Sequence, residues 1–190
     1  MKSPIEMDLT GKLLIAMPGM EDSRFDASVI LICAHSKDGA MGLIVNKPAT
    51  DLTFTHLLEQ LGIPHLPEGR GISVHFGGPV ERGRGFVLHS PDYRVDGATM
   101  QIASDFGMTA TQDVLRALGR GEGPHTALLA LGYAGWAAGQ LESEILRNDW
   151  LTADAPADLV FSTNDAEKWG AALRHLGVEP MALSASAGRA

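Results

Sequence analysis

The stretch ALLALGYAGWAAGQLESEILRNDW, residues Ala127–Trp150, carries the densest set of structural signals in the chain. Its apolar first part predicts a buried strand from His125 to Leu131. Gly132 and Gly135 follow, and glycine lets the backbone turn where other residues would be strained. Apolar and polar residues then recur at helical spacing, so the sequence predicts a strand, a glycine turn and a helix that begins near Trp136.

The predicted helix has two different faces. A repeat of about 3.6 residues aligns Trp136, Gln140 and Glu144 on one stripe, with Leu141 and Ile145 on a neighbouring apolar stripe. A strand that leads through glycines into a helix exposes backbone N–H groups, which is one way of building an anion or small-molecule site. The alternative is structural: the glycines allow close packing, the tryptophan belongs to the core and the glutamates are solvated.

Length and charge narrow the class of protein. A chain of 190 residues suffices for a single domain over residues 1–190, with one lobe or two. Hydrophobic residues make up 45% and charged residues 20%, which is typical of a folded globular protein and not of a disordered one. The 15 basic and 23 acidic residues give a formal net charge of -8, which disfavours a surface built to neutralise nucleic-acid phosphates.

Cysteine usage and hydropathy indicate a cytoplasmic protein. Cys33 is the single cysteine, so neither an intrachain disulfide nor a cysteine metal cluster is available, and its apolar neighbours predict a core position. The first residues contain no apolar signal-peptide core, and no apolar run approaches the length of about 20 residues that a membrane helix needs. We therefore expect a location in the reducing cytoplasm and no membrane partner.

Local patterns predict strands, turns and short helices along the rest of the chain. Apolar and β-branched runs predict strands over Lys12–Met17, Ile72–Phe76, Gly85–His89, Ala98–Ala103 and Asp158–Phe161. Helical spacing predicts helices over Thr53–Leu61, Thr109–Leu118 and Asp165–Leu176, the last ending at Gly177. We also expect an antiparallel hairpin over Ser28–Asn46, a flexible loop over Pro64–Gly71 and a loosely held tail over residues 181–190. This mixture predicts an α/β or α+β fold in which helices flank a mixed sheet.

Four runs of the sequence together resemble a known family. They are GKLLIAMPGMEDSRFDASVILICAH (11–35), GAMGLIVNKP (39–48), HFGGPVERGRGFVLHS (75–90) and ALGYAGWAAGQLESEILRNDWL (130–151). Their order, and their spread over nearly the whole chain, are similar to the YqgE/AlgH family of bacterial proteins. The resemblance implies a cytosolic α/β protein with a mixed, partly folded or bifurcated sheet, in a family without an established biochemical activity. One branch is labelled a transcriptional regulator of alginate production, which is a name and not a mechanism.

Known catalytic motifs are absent from the sequence. It has no GxSxG nucleophile elbow, no GxxxxGK[ST] phosphate loop, no HExxH zinc helix and no complete GxGxxG turn. We therefore expect no cofactor and no standard nucleotide site. Scattered histidines at or near strand ends do not predict three or four converging ligands, so we expect no metal site; they are His35, His75, His89 and His125.

Six polar residues from the family-like runs form a candidate ligand cleft: His35, Asn46, His89, Trp136, Gln140 and Glu144. Each has a structural alternative as a cap or as a hydrogen-bond partner of a loop or backbone group. His89 and Ser90 are neighbours on one strand, so their side chains point to opposite faces and cannot form a nucleophile–base pair. The catalytic residues therefore stay unknown.

Three functions stay open on the sequence alone. The first is a regulatory or binding role in the cytosol through a protein partner or a small ligand. The alternative is a hydrolytic or acid–base enzyme with a cleft near Gln140 and Glu144. The third is direct DNA binding, which the net charge disfavours. The ligand and the oligomeric state are left open.

Overall fold

A computed structural model describes residues 8–20, 22–67 and 70–187. Over these residues the chain forms nine strands, six α-helices and one 3₁₀ turn at Ser23–Phe25. The strands are β1 (Lys12–Ala16), β2 (Val29–Ser36), β3 (Gly39–Ile44), β4 (Ser73–Phe76), β5 (Val80–His89), β6 (Thr99–Ile102), β7 (Phe106–Thr109), β8 (Ala127–Ala137) and β9 (Trp150–Asp154). The helices are α1 (Phe54–Gln60), α2 (Gln112–Gly119), α3 (Gln140–Leu146), α4 (Ala157–Phe161), α5 (Asp165–His175) and α6 (Pro180–Ala187).

All the strands belong to one sheet that branches at β8. Its order is β6-β7-β5-β8-β3-β2-β1-β9, and β4 adds to β8 outside this path. Strand β8 pairs through its first half with β4 and β5, and through its second half with β3. The β4–β8 pair is parallel, whereas the other pairs of strands are antiparallel. The mixed, bifurcated sheet with flanking helices is therefore confirmed.

The branch point is a left-handed residue within β8. Gly132 has a φ of +76°, and a Cβ atom there would lie 2.4 Å from the carbonyl oxygen of Gly78. An extra residue of this kind reverses the alternation of side chains along a strand. Ala130 before it and Tyr133 after it accordingly both contact the central core, although they are three positions apart.

Three apolar clusters hold the layers together. The central core lies inside the curl of the sheet and is closed by α4 and α5. On the outer surface, α1 and α2 pack on β4, β5 and β8, while α3 packs on β1, β2, β3 and β8. Cys33 is fully inside the central core, as predicted, and this burial raises the pKa of its thiol to about 12.

Several elements follow directly from local sequence signals. The hairpin of β2 and β3 confirms the predicted one, and α1 and α5 confirm two predicted helices. Thr53 caps α1, because its hydroxyl accepts a hydrogen bond from the backbone N–H of His56. Asn164 caps α5 in the same way through Ala166, and Gly177 follows that helix with a φ of +78°.

The central stretch differs from its prediction. Strand β8 does not turn at Gly132 but runs on to Ala137, and α3 begins at Gln140 instead of near Trp136. Trp136 is a strand residue because it pairs with Ala40 of β3 in the antiparallel ladder. The turn is made at Gly139, whose φ is +77°.

One further strand prediction was wrong, and one strand was missed. Residues 158–161 belong to helix α4, because Pro156 starts a new helix at its N-cap position and so short an apolar run is ambiguous. The late strand is β9 instead, which pairs over its whole length with β1. Strand β7 was also missed, and since it contains Thr109, helix α2 begins only after Thr111.

The C-terminal tail is helical as far as the structure describes it, in α6, and residues 188–190 lie outside the described part. How firmly the tail is held stays a prediction. The predicted loop at Pro64–Gly71 contains no regular element at its described positions, and residues 68–69 lie outside them. None of the helices over the described ranges combines the length and the hydrophobicity needed to cross a bilayer.

We expect Gly132→Ala to lower the free energy of unfolding by more than about 2 kcal/mol, because alanine is strained at this φ and its methyl group would meet the Gly78 carbonyl. Gly83→Ala is the matched control, since Gly83 lies in β5 at an ordinary φ with open space around it. It should change the same quantity by less than about 1 kcal/mol. Urea unfolding measures both, and equal effects would contradict the role given to Gly132.

Candidate functional site

Helix α3 holds Glu144 against two tryptophans. The Oε1 atom of Glu144 accepts hydrogen bonds from the indole N–H of Trp136 at 3.3 Å and of Trp150 at 3.2 Å. The two indole rings meet edge to face with centroids 6.2 Å apart. The other carboxyl oxygen of Glu144, Oε2, is buried and has no hydrogen-bond partner among the described residues. Glu144 is therefore tied into an apolar cluster and is not a solvated glutamate.

His35 is held by two hydrogen bonds beneath the same helix. Its Nδ1 accepts from the backbone N–H of Leu9 at 3.0 Å, so the proton of the neutral ring lies on Nε2, which donates to Glu142. Burial acts to raise the pKa of Glu142, but its hydrogen bonds with His35 and with its own backbone N–H, together with the His35 charge interaction, outweigh burial, and the pKa lies below its ordinary value. The imidazole is only 1% exposed, which leaves neither ring nitrogen open to a ligand.

The side chains of Gln140 and Asn46 form hydrogen bonds with main-chain groups. The Gln140 side chain accepts a hydrogen bond from the N–H of Ala137 at 3.0 Å and closes the turn between β8 and α3. Asn46 accepts from the N–H of Val29 at 2.9 Å and donates to the carbonyl of Ala27 at 2.8 Å. It thereby joins the open ends of the β2–β3 hairpin, in agreement with its structural alternative.

His89 lies in a separate buried network at the end of β5. Its Nδ1–H donates to the Ser90 carbonyl, and its Nε2 accepts from the hydroxyl of Thr109, each at 2.8 Å. The Thr109 hydroxyl is in turn 2.8 Å from that of Thr99. Burial lowers the pKa of His89, against the opposing effects of the Ser90 carbonyl and the Asp92 charge. His89 is thus a neutral structural residue that connects β5 with β6 and β7.

The six candidate residues do not converge on one cleft. His35, Trp136, Gln140 and Glu144 gather around α3, whereas Asn46 lies at the opposite end of the hairpin from His35. His89 is fully buried on β5. Most of the polar atoms in the set already have partners inside the protein, so little of it is available for chemistry.

An open cleft of about 800 Å³ lies beside this cluster, at the tip of the β2–β3 hairpin. Its lining is largely apolar and adaptable, and it includes two methionines and three aromatic residues: Met41, Met108, Phe86, Tyr133 and Trp136. Asp38 and Arg84 add one charge of each sign. The Arg84 guanidinium lies 5.0 Å above the Phe86 ring and 3.5 Å from the Glu81 carboxyl. Both side chains are about half exposed, so this ion pair is solvated and places a basic group next to an apolar wall.

A bulge in β2 separates this cleft from the α3 cluster. The register of β2 and β3 shifts between Ile32 and Ala34, so Ala34 pairs with Met41 and lines the cleft with it. His35 and Trp136 also border the cleft, but their side chains are directed to the glutamates of α3. The side chains that give the cleft its chemistry were not selected from the sequence, although Arg84 and Phe86, two positions apart on one strand, are a recognisable signal.

A buried charged cluster was also missed. His75 of β4 contacts the carboxyl group of Asp165 through Nε2 at 2.9 Å, and Lys168 contacts the same carboxyl at 2.8 Å. The Lys168 ammonium also donates to the carbonyl of Val45 at 2.7 Å. Helix α5 is thus tied to the ends of β3 and β4 by buried polar contacts, which a lysine three positions after an aspartate could have suggested.

Burial and pairing oppose each other in this cluster. Burial lowers the pKa of His75 and of Lys168, although Asp165 acts to raise both. Burial acts to raise the pKa of Asp165, but the hydrogen bonds and the charges of Lys168 and His75 together outweigh burial, and the pKa is lowered. Among the described residues, no group of three or more histidine, cysteine, aspartate or glutamate side chains is placed to hold a metal ion.

Replacing Glu144 by alanine should lower the free energy of unfolding by about 2–4 kcal/mol, because two buried indole N–H groups would lose their acceptor. Glu144→Gln keeps a carbonyl oxygen as an acceptor, so it should lower the free energy of unfolding by less than half as much. Urea unfolding followed by circular dichroism measures both variants. Equal losses in the two would mean that the tryptophan hydrogen bonds are not what Glu144 contributes.

We expect the stability to fall as the pH is lowered below about 6.5, the ordinary histidine pKa, because the unfolded chain then binds protons that buried His89 does not. His89→Gln should flatten the dependence of the unfolding free energy on pH between about 7 and 5, by at most about 1.4 kcal/mol per pH unit. His56→Gln removes an exposed histidine of α1 and is the control. Unchanged slopes in His89→Gln would show that this histidine is not buried in its neutral form.

Comparisons with known proteins agree with this architecture. The profile of the family described as AlgH-like matches residues 13–181. A UPF0301 protein of Cereibacter sphaeroides is 65% identical over 184 residues, covering 97% of this chain and all of the relative.

Two solved structures are similar over nearly their full lengths. The solution structure of AlgH from Pseudomonas aeruginosa has a TM-score of 0.78 and 41% identity, and covers both chains completely. A crystal structure of a protein from Corynebacterium diphtheriae has a TM-score of 0.68 and 25% identity, over 96% of this chain and 91% of the other. With a matching profile over most of its length and a relative of 65% identity, this chain belongs to the AlgH-like family.

Proposed function

We propose that this protein is a regulatory binding protein that takes a small, mainly apolar molecule into the cleft at the tip of the β2–β3 hairpin. The observation that carries the proposal is the cleft itself, because its volume of about 800 Å³ lies in the range of small-molecule sites. Its methionine and aromatic lining suits an apolar body, and Arg84 favours a ligand that also bears an acidic group.

The alternatives have weaker support. An acid–base enzyme near Gln140 and Glu144 would need accessible polar atoms, but the Oε1 atom of each side chain already accepts hydrogen bonds within the protein, and the unpaired Oε2 of Glu144 is buried. Neither residue lines the cleft. Direct DNA binding is opposed by the net charge of -8. A protein partner that inserts an apolar side chain into the cleft is the remaining variant of the binding role.

A cytoplasmic location is part of the proposal. Its support is the single cysteine, which allows no intrachain disulfide and lies fully buried in the core.

A ligand that reached this cleft would contact the hairpin tip, which is exposed and so is available to a second protein. Occupancy of the cleft could then be read out as a change in that surface.

The test uses the dye 1-anilinonaphthalene-8-sulfonate, an apolar aromatic molecule with one acidic group. We expect saturable binding to the folded protein, and at least about a tenfold weaker affinity for Gly135→Phe. Gly135 borders the cleft, and a Cβ there meets only the edge of the Tyr133 ring, so a phenyl group fits and occupies the space. Gln101→Phe adds the same ring to an exposed position of β6 and is the matched control.

Arg84→Gln separates the charge from the apolar contacts. It should weaken binding of the sulfonate dye but not of the uncharged N-phenyl-1-naphthylamine. Circular dichroism of each variant verifies that the fold is intact. If Gly135→Phe binds the sulfonate dye as tightly as the parent protein does, the dye lies elsewhere and the proposed site is wrong.

A further inference from the structure

A second, smaller cavity of about 250 Å³ has a different chemistry. It lies between the end of β3, the connection from β4 to β5 and the 3₁₀ turn. Three basic residues line it, Arg24, Lys47 and Arg82, and no acidic residue is among the described lining. This concentration of positive charge is unusual on a protein whose formal net charge is -8.

The three basic groups are only partly engaged by the protein. Arg24 is paired with Asp22, with its Nη2 atom 2.6 Å from the carboxyl oxygen. Lys47 donates one hydrogen bond, at 2.7 Å, to the main-chain carbonyl of Asp26, which leaves two of its three N–H groups available. Arg82 forms no hydrogen bond or ion pair with the described residues, and its side chain is exposed. The cavity therefore holds more donor groups than the protein uses.

The uncharged part of the lining is an exposed aromatic ring. Phe76 ends strand β4 and is 53% exposed, although its neighbour His75 is buried. The chain beyond it is held rigidly, because Gly77 donates to the Leu131 carbonyl and accepts from the N–H of Ile44. The loop lies so close to β8 that a Cβ atom on Gly78 would be 2.0 Å from the main chain of Tyr133. The Phe76 ring and the basic side chains are thus carried by main chain that is already fixed in place.

We propose that this cavity is a binding site for a small phosphorylated molecule that carries a flat ring, such as a mononucleotide. Arginine and lysine donors match a phosphate group, and arginine can contact it through two parallel hydrogen bonds. The exposed Phe76 supplies a surface on which a planar ring stacks. The volume lies below the range of enclosed small-molecule sites, so the cavity takes the phosphate end while the ring rests on its rim.

The site does not depend on the cleft proposed above. Arg82 and Arg84 lie on the same irregular part of β5, yet they line different cavities, and no residue lines both. The apolar cleft and the basic cavity therefore select different ligand chemistry. Loss of one binding activity by substitution is expected to leave the other in place.

The experiment titrates the full-length protein with adenosine monophosphate, inorganic phosphate and adenosine, using calorimetry and amide chemical shifts. We expect adenosine monophosphate to bind most tightly, phosphate more weakly and adenosine not measurably up to about 10 mM. The shifted amides should lie at residues 76–82 and around Arg24 and Lys47. No saturable binding of either phosphate compound up to about 10 mM would overturn the proposal.

Two double variants separate a built site from general charge attraction. Lys47→Gln with Arg82→Gln should weaken binding of adenosine monophosphate at least about tenfold. Lys37→Gln with Arg94→Gln removes the same number of positive charges from exposed positions outside the cavity, and should change the affinity less than about twofold. Equal losses in the two would overturn the proposed site. Phe76→Leu should weaken binding of adenosine monophosphate but not of phosphate, and equal affinities of both compounds for the parent protein would refute the ring contact.

Discussion

The close main-chain contact between Gly132 and Gly78 is the constraint on which the rest of the structure depends. Only a residue without a Cβ fits there, because the left-handed backbone and the nearby carbonyl both exclude a side chain. At this contact β8 leaves β4 and continues beside β3, so a single strand serves both branches of the sheet. The same residue reverses the alternation of side chains, which turns Tyr133 toward the core and the cleft and Trp136 toward α3.

The two faces of β8 therefore have different surroundings, one with hydrogen-bonded polar groups and the other largely apolar. On the outer face, Glu144 and Glu142 bind the tryptophans and His35, so the polar residues most typical of an active site serve to fasten a helix. On the inner face, the cleft is lined by methionines and aromatic rings with few polar atoms. The polar side chains around α3 are thus bonded within the protein, whereas the cleft on the other face is bordered mainly by apolar side chains.

Much of the architecture could be predicted from the sequence because its signals are local. The cap at Thr53, the glycine after α5 and the β-branched run of β2 each act within a few residues of their position. The role of Gly132 could not be predicted, because glycine is typical of both turns and bulges. Which of the two forms depends on Gly78, in the distant connection between β4 and β5. The grouping of the candidate site residues also depended on contacts that are distant in sequence. Spacing grouped Trp136 with Glu144 in a helix that does not include the tryptophan, and their contact arises from packing instead.

Strand β1 lies between β2 and β9, and this pairing has a consequence for synthesis on the ribosome. About 130 residues separate the end of β1 from the start of β9, so at roughly 5–20 residues per second the open edge of β1 waits about 7–30 s for its partner. During that time the nascent chain presents a buried, apolar strand with unpaired backbone groups. The sheet is therefore completed only after β9 has been synthesised, when the second edge of β1 gains its partner.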